Sequence, residues 1–568
     1  MHKIGQYLVV RSGQTENTYG AFTREILLSE GFMGFETVDL DRQSMPDLRP
    51  DELVLLTRCF LDRAQLESLL ARVADGVALV VLQPQHGILD RLGIKRRKGL
   101  VLPACVRVGA GKVASGLPLQ THLPMNHWSL PGDAHPWHVI ARAVDSEWND
   151  VAAPAVASSQ IGKGSIACFF YDPAEAVARI RFGNPDLASF STLEDWAWPH
   201  VADMYADHVD PRAKHLPQGD LHAQLLARVL EDVSPVPLAR FWYYPEAEQR
   251  SICIFQSDGD GSTPEQFQSL ASALERRNGT ATFYLMESTK LTPGHVNELR
   301  LRGHTFAPHV NPTNRTDELY FAIPDALREE TVRFKERFGA CSTSLQCHCA
   351  PWMGYMELLP AHIRNGYRLL FASLSLPLDM WGHYMCGSGR PMKYFDREGV
   401  LHDCWQQPVT IYDDTTLTDK LTNHLEDACG EFERLLQEST NESHTPLALL
   451  SHPVSFCTYS SRFFERALSR VHEEGIPIWN GDEWTGFIDR RAAAQLEQVR
   501  NDDGTASYVV TGLKGQLPLM IPVSQSSPSG FLVNRRPAEH TAVERFGRRR
   551  AVISLDETMG EKIEVKEA

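Results

Sequence analysis

Between residues 250 and 490, strand-like apolar runs alternate with short amphipathic helices, and the helices carry their own start and stop signals. Thr263 and Pro264 open one, with Phe267, Leu270 and Leu274 on a single face and Gly279 after it. Thr292 and Pro293 open the next, with Val296 and Leu299 inside and Gly303 beyond. A capping hydroxyl, a Pro where no N–H is needed and a Gly where the chain turns back fix helix ends locally. Further helices are expected over 324–339, around 355–365 and over SSRFFERALSRVHEEG. Six or more strand–helix units in about 240 residues imply parallel strands joined by crossovers, and so a (β/α) barrel spanning 246–495.

Four of the apolar runs end in an acid or a histidine: SICIFQSDGD at Asp258, GHTFAPH at His309, STSLQCH at His348 and LALLSH at His452. The carboxyl ends of parallel strands converge on one face, so these four residues are expected to meet. One Asp and three His at one place suit a metal. An Asp-Gly-Asp-Gly sequence is also an ordinary turn, but this one follows an apolar strand and precedes a capped helix.

Residues 4 to 170 read differently, as QYLVV, a helix around AFTREILLSEG, FETVDL, ELVLLT, a helix DRAQLESLLARVADG and VALVVLQ. That alternation predicts a doubly wound parallel sheet, flavodoxin-like in type, over 1–190. It resembles the class I glutamine-amidotransferase fold, late segment GKGSIACFFYDPAEAVARIRFGNPDLA included. Such an enzyme needs a nucleophilic Cys at the strand-to-helix elbow. Here Gln83, Pro84, Gln85 and His86 follow VALVVL, so the domain is expected to be an inactive scaffold or a regulator. A connecting segment, 191–245, carries a helix with Leu221, Leu225, Leu226 and Val229 at helical spacing. Short β runs between Gly, Pro and Ser turns over 496–568 predict a small β-sandwich.

Lys and Arg number 56 against 72 Asp and Glu, a net charge of −16, which disfavours nucleic acid as a partner. The basic stretch RRPAEHTAVERFGRRR is expected to be a solvated edge. No window approaches the roughly 18 apolar residues of a membrane span, and the apolar run before Arg11 is too short for a signal-peptide core. Eleven cysteines without framework spacing fit reduced thiols. A cytoplasmic protein with no membrane partner is expected; self-association is left open.

The order of features from 250 to 490 resembles the polysaccharide deacetylases, the carbohydrate esterase family with chitooligosaccharide-deacetylase homology. That family's Thr-Phe-Asp-Asp-Gly-Pro motif matches Phe255, Gln256, Ser257, Asp258, Gly259 and Asp260. The resemblance makes Asp258 a metal ligand and puts Ser257, a poor base, in the base position, with Asp260 able to take that role; the two aspartates could equally exchange roles. Gly303 to His309 matches the metal-histidine motif, so His309 is an expected ligand, and Thr313 stands where the second His belongs. His304, at the strand's opposite end, is expected to be structural. In the third motif His348 can replace the missing ligand and Trp352 takes the aromatic place, without the family's Arg. His452 matches the late general acid.

The resemblance implies hydrolysis of an acetyl group from an acetylated sugar with a divalent ion, most naturally Zn²⁺ held by Asp258, His309 and His348. Asp260 and His452 are then the acid–base pair and Trp352, Trp405 and Gln406 the substrate contacts, the last two from the polar segment 386–414. Cys347 and Cys349 are expected to be small buried side chains, a Cys-His-Cys zinc structure lacking a second cysteine pair. Two other readings stand beside this one. The altered motifs suit a non-catalytic carbohydrate-binding or assembly module, and this barrel also hosts hydrolysis of non-sugar C–N bonds.

Overall fold

The computed structural model describes residues 2–13, 19–102, 104–109, 116–132, 136–188, 199–205, 209–312, 319–373, 384, 386–502, 505–523 and 530–568. The chain forms two compact units. One comprises Met1–Arg179, Leu221–Glu248 and Arg490–Ala568; the other comprises Ile180–Asp220 and Gln249–Asp489.

The first unit contains a mixed nine-stranded sheet. Its parallel half follows the sequence reading: Glu36–Asp39, Gln6–Val10, Leu53–Leu56, Ala78–Leu82 and Gly164–Phe169 lie in that spatial order. The helix Arg63–Asp75 is held at its start by an Asp62–Gln65 capping box, with Gln65 N–H donating to Asp62 at 2.8 Å, and stopped by Gly76 at φ +131°. The other half is antiparallel, which the expected doubly wound sheet did not include. The cause is local. Ile161 pairs Gly164 across a two-residue turn, and only antiparallel strands can be joined so tightly. Gly162 takes φ +59° there, and a Cβ would stand 2.4 Å from the Ala74 carbonyl oxygen.

The strands after residue 495 form two sheets, one with His2–Lys3 at its edge and one with Arg240–Phe241. The basic stretch is mostly the exposed edge expected of it, with Arg545 and Arg550 as buried exceptions. Arg550 is fully buried and pairs with Glu231 at 2.7 Å; Glu231 also meets Arg240 at 3.1 Å, and Arg240 meets Glu30 at 2.6 Å. Tyr243 donates its hydroxyl to Glu30 at 2.7 Å. Two acids and two arginines neutralise one another, and buried charges persist only when paired in this way. Arg545 lies with its guanidinium 3.6 Å from the centre of the Trp242 ring.

The second unit is α/β with mainly parallel strands. Its central strand Cys253–Asp258 is buried throughout and is flanked by Thr282–Leu285 and Leu447–Leu450, both likewise buried. Thr305–Pro308 and Ile411–Tyr412 extend the sheet on either side. A second ladder holds Ser344–Leu345, Leu369–Leu370, Leu401–Gln406 and Met392–Phe395. The expected barrel is therefore not closed by continuous pairing. Between Thr305–Pro308 and Ser344–Leu345 only flanking bonds form, Ser342 N–H to Phe306 O at 2.7 Å and His348 N–H to Val310 O at 3.0 Å. Pro308 has no N–H to offer between them. The third expected helix begins at Leu319, ahead of Pro324, and runs to Phe338.

None of the eleven cysteines forms a disulfide. No helix among the described residues is long and apolar enough to cross a membrane.

Candidate metal centre

Asp258 is the last residue of the central strand, and the chain then turns through Gly259 and Asp260 into the helix Pro264–Glu275. Gly259 is required by close approach. Its N–H donates to Tyr284 O at 2.8 Å, and a Cβ would lie 2.8 Å from both that oxygen and the Phe267 ring. Gly261, at φ +60°, completes the turn. Gly259→Ala is therefore expected to push the turn off the sheet, lowering the melting temperature by several degrees for a cost of about 1–3 kcal/mol. Differential scanning fluorimetry checks this, together with the metal content.

His309 follows Thr305–Pro308, with its N–H donating to Leu285 O at 2.8 Å. Its Nδ1 lies 2.9 Å from Gln346 O. A carbonyl can only accept, so Nδ1 carries the proton and Nε2 presents a lone pair. His348 is set by the bond from its N–H to Val310 and by two consecutive left-handed residues behind it, Cys349 at φ +57° and Ala350 at φ +41°. Such conformations are costly in non-glycine residues and persist where the surroundings over-determine them.

The ligand atoms of Asp260, His309 and His348 all lie within 4.8 Å of one another. Asp260 Oδ2 is 3.0 Å from His348 Nδ1, Asp260 Oδ1 is 3.4 Å from His309 Nε2, and the two imidazole nitrogens are 3.3 Å apart. Asp258 stands beside this set, Oδ2 3.6 Å from His309 Nε2. Asp258 Oδ1 and Asp260 Oδ1 are both buried and lack a hydrogen-bond partner. Orphaned carboxylate oxygens next to two imidazoles are the donor set that a divalent ion satisfies. Asp260 and His348 keep 27% and 24% of their side chains exposed, so the centre opens to solvent.

His452 lies at the end of Leu447–Leu450. Its Nδ1 is 2.9 Å from Asp413 Oδ1, to which its backbone N–H also donates at 2.8 Å. Asp413 is fully buried and accepts from Ser451 Oγ at 2.7 Å and Ser460 Oγ at 2.6 Å. The sequence reading missed this aspartate. The signal was an apolar pair ending in acid, Ile411–Tyr412 and then Asp413, the same pattern as the other four runs in shorter form.

The charges are strongly coupled. Burial pushes Asp258 upward and outweighs the pull of His309 and His452. Burial also opposes the Asp260 charge, but the His348 hydrogen bond and the neighbouring imidazoles prevail and hold it below the ordinary range. For His452, burial favours the neutral ring, yet the hydrogen bond and charge of Asp413 raise it to about 10.

The other expected site residues are placed elsewhere. Trp352 is buried between His362 and Tyr394, stacked on each at 5.9 Å, with its indole N–H on Tyr355 O at 2.7 Å. Trp405 is buried and donates to Asp489 at 2.9 Å. Gln406, 1% exposed, donates to Arg181 O at 3.0 Å and Ser373 Oγ at 2.9 Å. Packing, rather than substrate contact, occupies all three. Ser257 gives its hydroxyl to Ser451 O at 2.6 Å. His304 accepts from Ala281 N–H at 3.1 Å and meets Glu275 at 2.9 Å, a structural role. Cys349 is exposed and Cys347 partly so, contrary to expectation. Thr313 lies outside the described residues.

No family model matches the chain, and no curated protein matches it. The chain shows distant likenesses to several solved structures. A crystal structure of Agd3, a carbohydrate deacetylase, aligns over 100% of this chain and 99% of its own at 10% identity and a TM-score of 0.44. A peptidoglycan N-acetylglucosamine deacetylase aligns over 41% of this chain and 88% of its own at 12% identity and a TM-score of 0.26. A β-galactosidase from Bacillus circulans aligns over 31% and 29% at 11% identity and a TM-score of 0.23. At such scores likeness assigns no reaction, and the chemistry has to be read from the side chains.

Proposed function

We propose that the second unit is a metal-dependent hydrolase that removes an acetyl or similar acyl group from an amino sugar or glycan-like substrate. The observation that carries the proposal is the convergence of Asp260, His309 and His348 beside an Asp413-held His452. The sugar part rests on the order of motifs from Asp258 to His452. In this reading the two aspartates exchange the roles first expected, because Asp260 shares a centre with both histidines and Asp258 stands outside it.

Asp260, His309 and His348 would hold a divalent ion such as Zn²⁺, which when bound polarises the acyl carbonyl and acidifies water. The residues of the chain do the rest. Asp258, buried and with one oxygen unpartnered, takes the proton of the water whose oxygen bonds to the acyl carbon. His452, with Nδ1–H fixed on Asp413, offers Nε2–H to the departing nitrogen or oxygen as the bond to the acyl carbon breaks. The products are a carboxylic acid and a free amine or alcohol.

Plasma mass spectrometry on protein purified without chelators tests the centre. Wild type is expected to carry close to one zinc or other divalent ion per chain. His309→Ala and His348→Ala should each lose more than the roughly 10–100-fold in affinity that even an outer-sphere partner supplies. Release of acetate from N-acetylglucosamine oligomers should fall in parallel. A metal-free wild type would overturn the proposal and favour a carbohydrate-binding module. A metal-loaded protein inert on acetylated sugars would favour a non-sugar C–N substrate.

A further inference from the structure

The parallel strands of the first unit end in a cavity of about 310 Å³. Its wall comes from the residues that follow Leu53–Leu56, Ala78–Leu82 and Gly164–Phe169, together with the segment around Asn126. In open α/β sheets ligands bind at these carboxyl ends.

Gln83, the first residue after Ala78–Leu82, sits at φ +42°. Its N–H is fixed on Phe169 O at 2.8 Å, so the sheet holds a residue with a full side chain in a conformation suited to glycine. Its Oε1 is buried without a hydrogen-bond partner, and so is Oδ1 of Asn126 across the same cavity. Gln85 differs. Its amide accepts from Leu61 N–H and donates to Leu61 O, both at 3.1 Å, which anchors that wall. Two orphaned amide acceptors at one cavity call for a ligand that brings hydroxyl or N–H donors.

Charge and shape narrow the class. Arg58 is the one lining residue with a fixed charge, and Glu175 lies 3.6 Å from it, so the cavity favours neither an anion nor a cation. His86 and Trp128 meet edge to face at 6.0 Å and provide an aromatic wall. A volume near 310 Å³ is at the small end of ligand pockets. We propose that this cavity binds a neutral sugar ring, whose hydroxyls donate to Gln83 Oε1 and Asn126 Oδ1 and whose C–H face packs on the aromatic wall. The site is separate from the hydrolase reading and does not rest on it.

Saturation-transfer NMR and calorimetry on the intact chain test the site, with glucose, galactose and N-acetylglucosamine as probes. His309→Ala serves as a background in which the candidate metal centre is removed. At least one sugar should bind wild type and His309→Ala alike, with a dissociation constant of about 1 mM. Gln83→Gly and Asn126→Ala should each weaken that binding by at least about tenfold, the loss of one hydrogen bond in a buried site. Glycine accepts the backbone conformation of Gln83, so Gln83→Gly should fold and melt about 2–4 °C higher without sugar. Absence of binding by all three sugars would overturn the proposal, leaving the amide oxygens to water. Binding untouched by Gln83→Gly and Asn126→Ala, or lost in His309→Ala, would overturn it as well.

Discussion

Asp413→Asn is expected to lower kcat about 10²–10⁴-fold while leaving the metal content unchanged. The substitution keeps the size of the side chain and the hydroxyl contacts of Ser451 and Ser460 but removes the charge that His452 Nδ1–H faces. Two consequences separate this from a general loss of structure. The imidazolium of His452 is held to about pH 10 by Asp413, and a general acid works only below its own pKa. Wild-type activity should therefore persist up to about pH 10 on its alkaline side and fall above it. Without the carboxylate the ring should titrate closer to its ordinary value of about 6.5, so the variant should lose activity from near neutrality upward. A pH–rate profile of both proteins decides the matter. An unchanged alkaline limb would remove His452 from the role of acid.

Glu438→Gln should raise stability at pH 8 by about 2–3 kcal/mol and leave it nearly unchanged at pH 4. Glu438 is 7% exposed and its Oε1 lacks a partner. It ends the α-helix Leu425–Glu438, and the chain continues without a break into the π-helical turn Ser439–Ser443. Burial, with the charge of Glu442, raises its pKa from 4.5 to about 8. The protonated form is thus the folded form. Below the unfolded value the acid is neutral in both states and stability is fully present. As the pH rises from about 4.5 to about 8 the unfolded chain releases a proton that the folded chain retains, and stability falls. The full shift would be worth about 5 kcal/mol at 1.36 kcal/mol per unit. Relaxation around the carboxylate and the cost of a buried amide reduce this by about half. Melting curves from pH 4 to 9 should converge at the acid end and separate at the alkaline end; parallel curves would refute the assignment.

The helix ends were legible in the sequence because their signals are local. Thr263–Pro264 and Thr292–Pro293 cap their helices whatever else the chain does. The three histidines were legible because strand ends share a face. The order of the two aspartates was not, since it depends on a turn at Gly259 pressed against Phe267 and Tyr284, contacts that spacing cannot reveal. Asp413 was hidden because its strand, Ile411–Tyr412, has only two residues and no period to recognise. Trp352 was expected at the site from its motif position, and Trp405 and Gln406 from their polar segment; their burial comes from partners elsewhere along the chain, Tyr394, Asp489 and Arg181 among them. The gap beside Thr305–Pro308 was written in Pro308, which has no donor where the strand–helix rhythm predicts continued pairing.

The buried chain of charges from Glu30 through Arg240 and Glu231 to Arg550 has a consequence for biosynthesis. Glu231 and Arg550 are 319 positions apart. At translation rates of about 5–20 residues per second, tens of seconds separate their emergence from the ribosome. During that interval Glu231 has Arg240 within reach but not Arg550, and the segment Gln249–Asp489 is made. The unit that contains Gln249–Asp489 can therefore finish folding before the other, which waits for the chain from Arg490 onward. A nascent chain halted in the interval would keep Glu231 in water and its unit open, which marks it for capture by chaperones rather than for partial function.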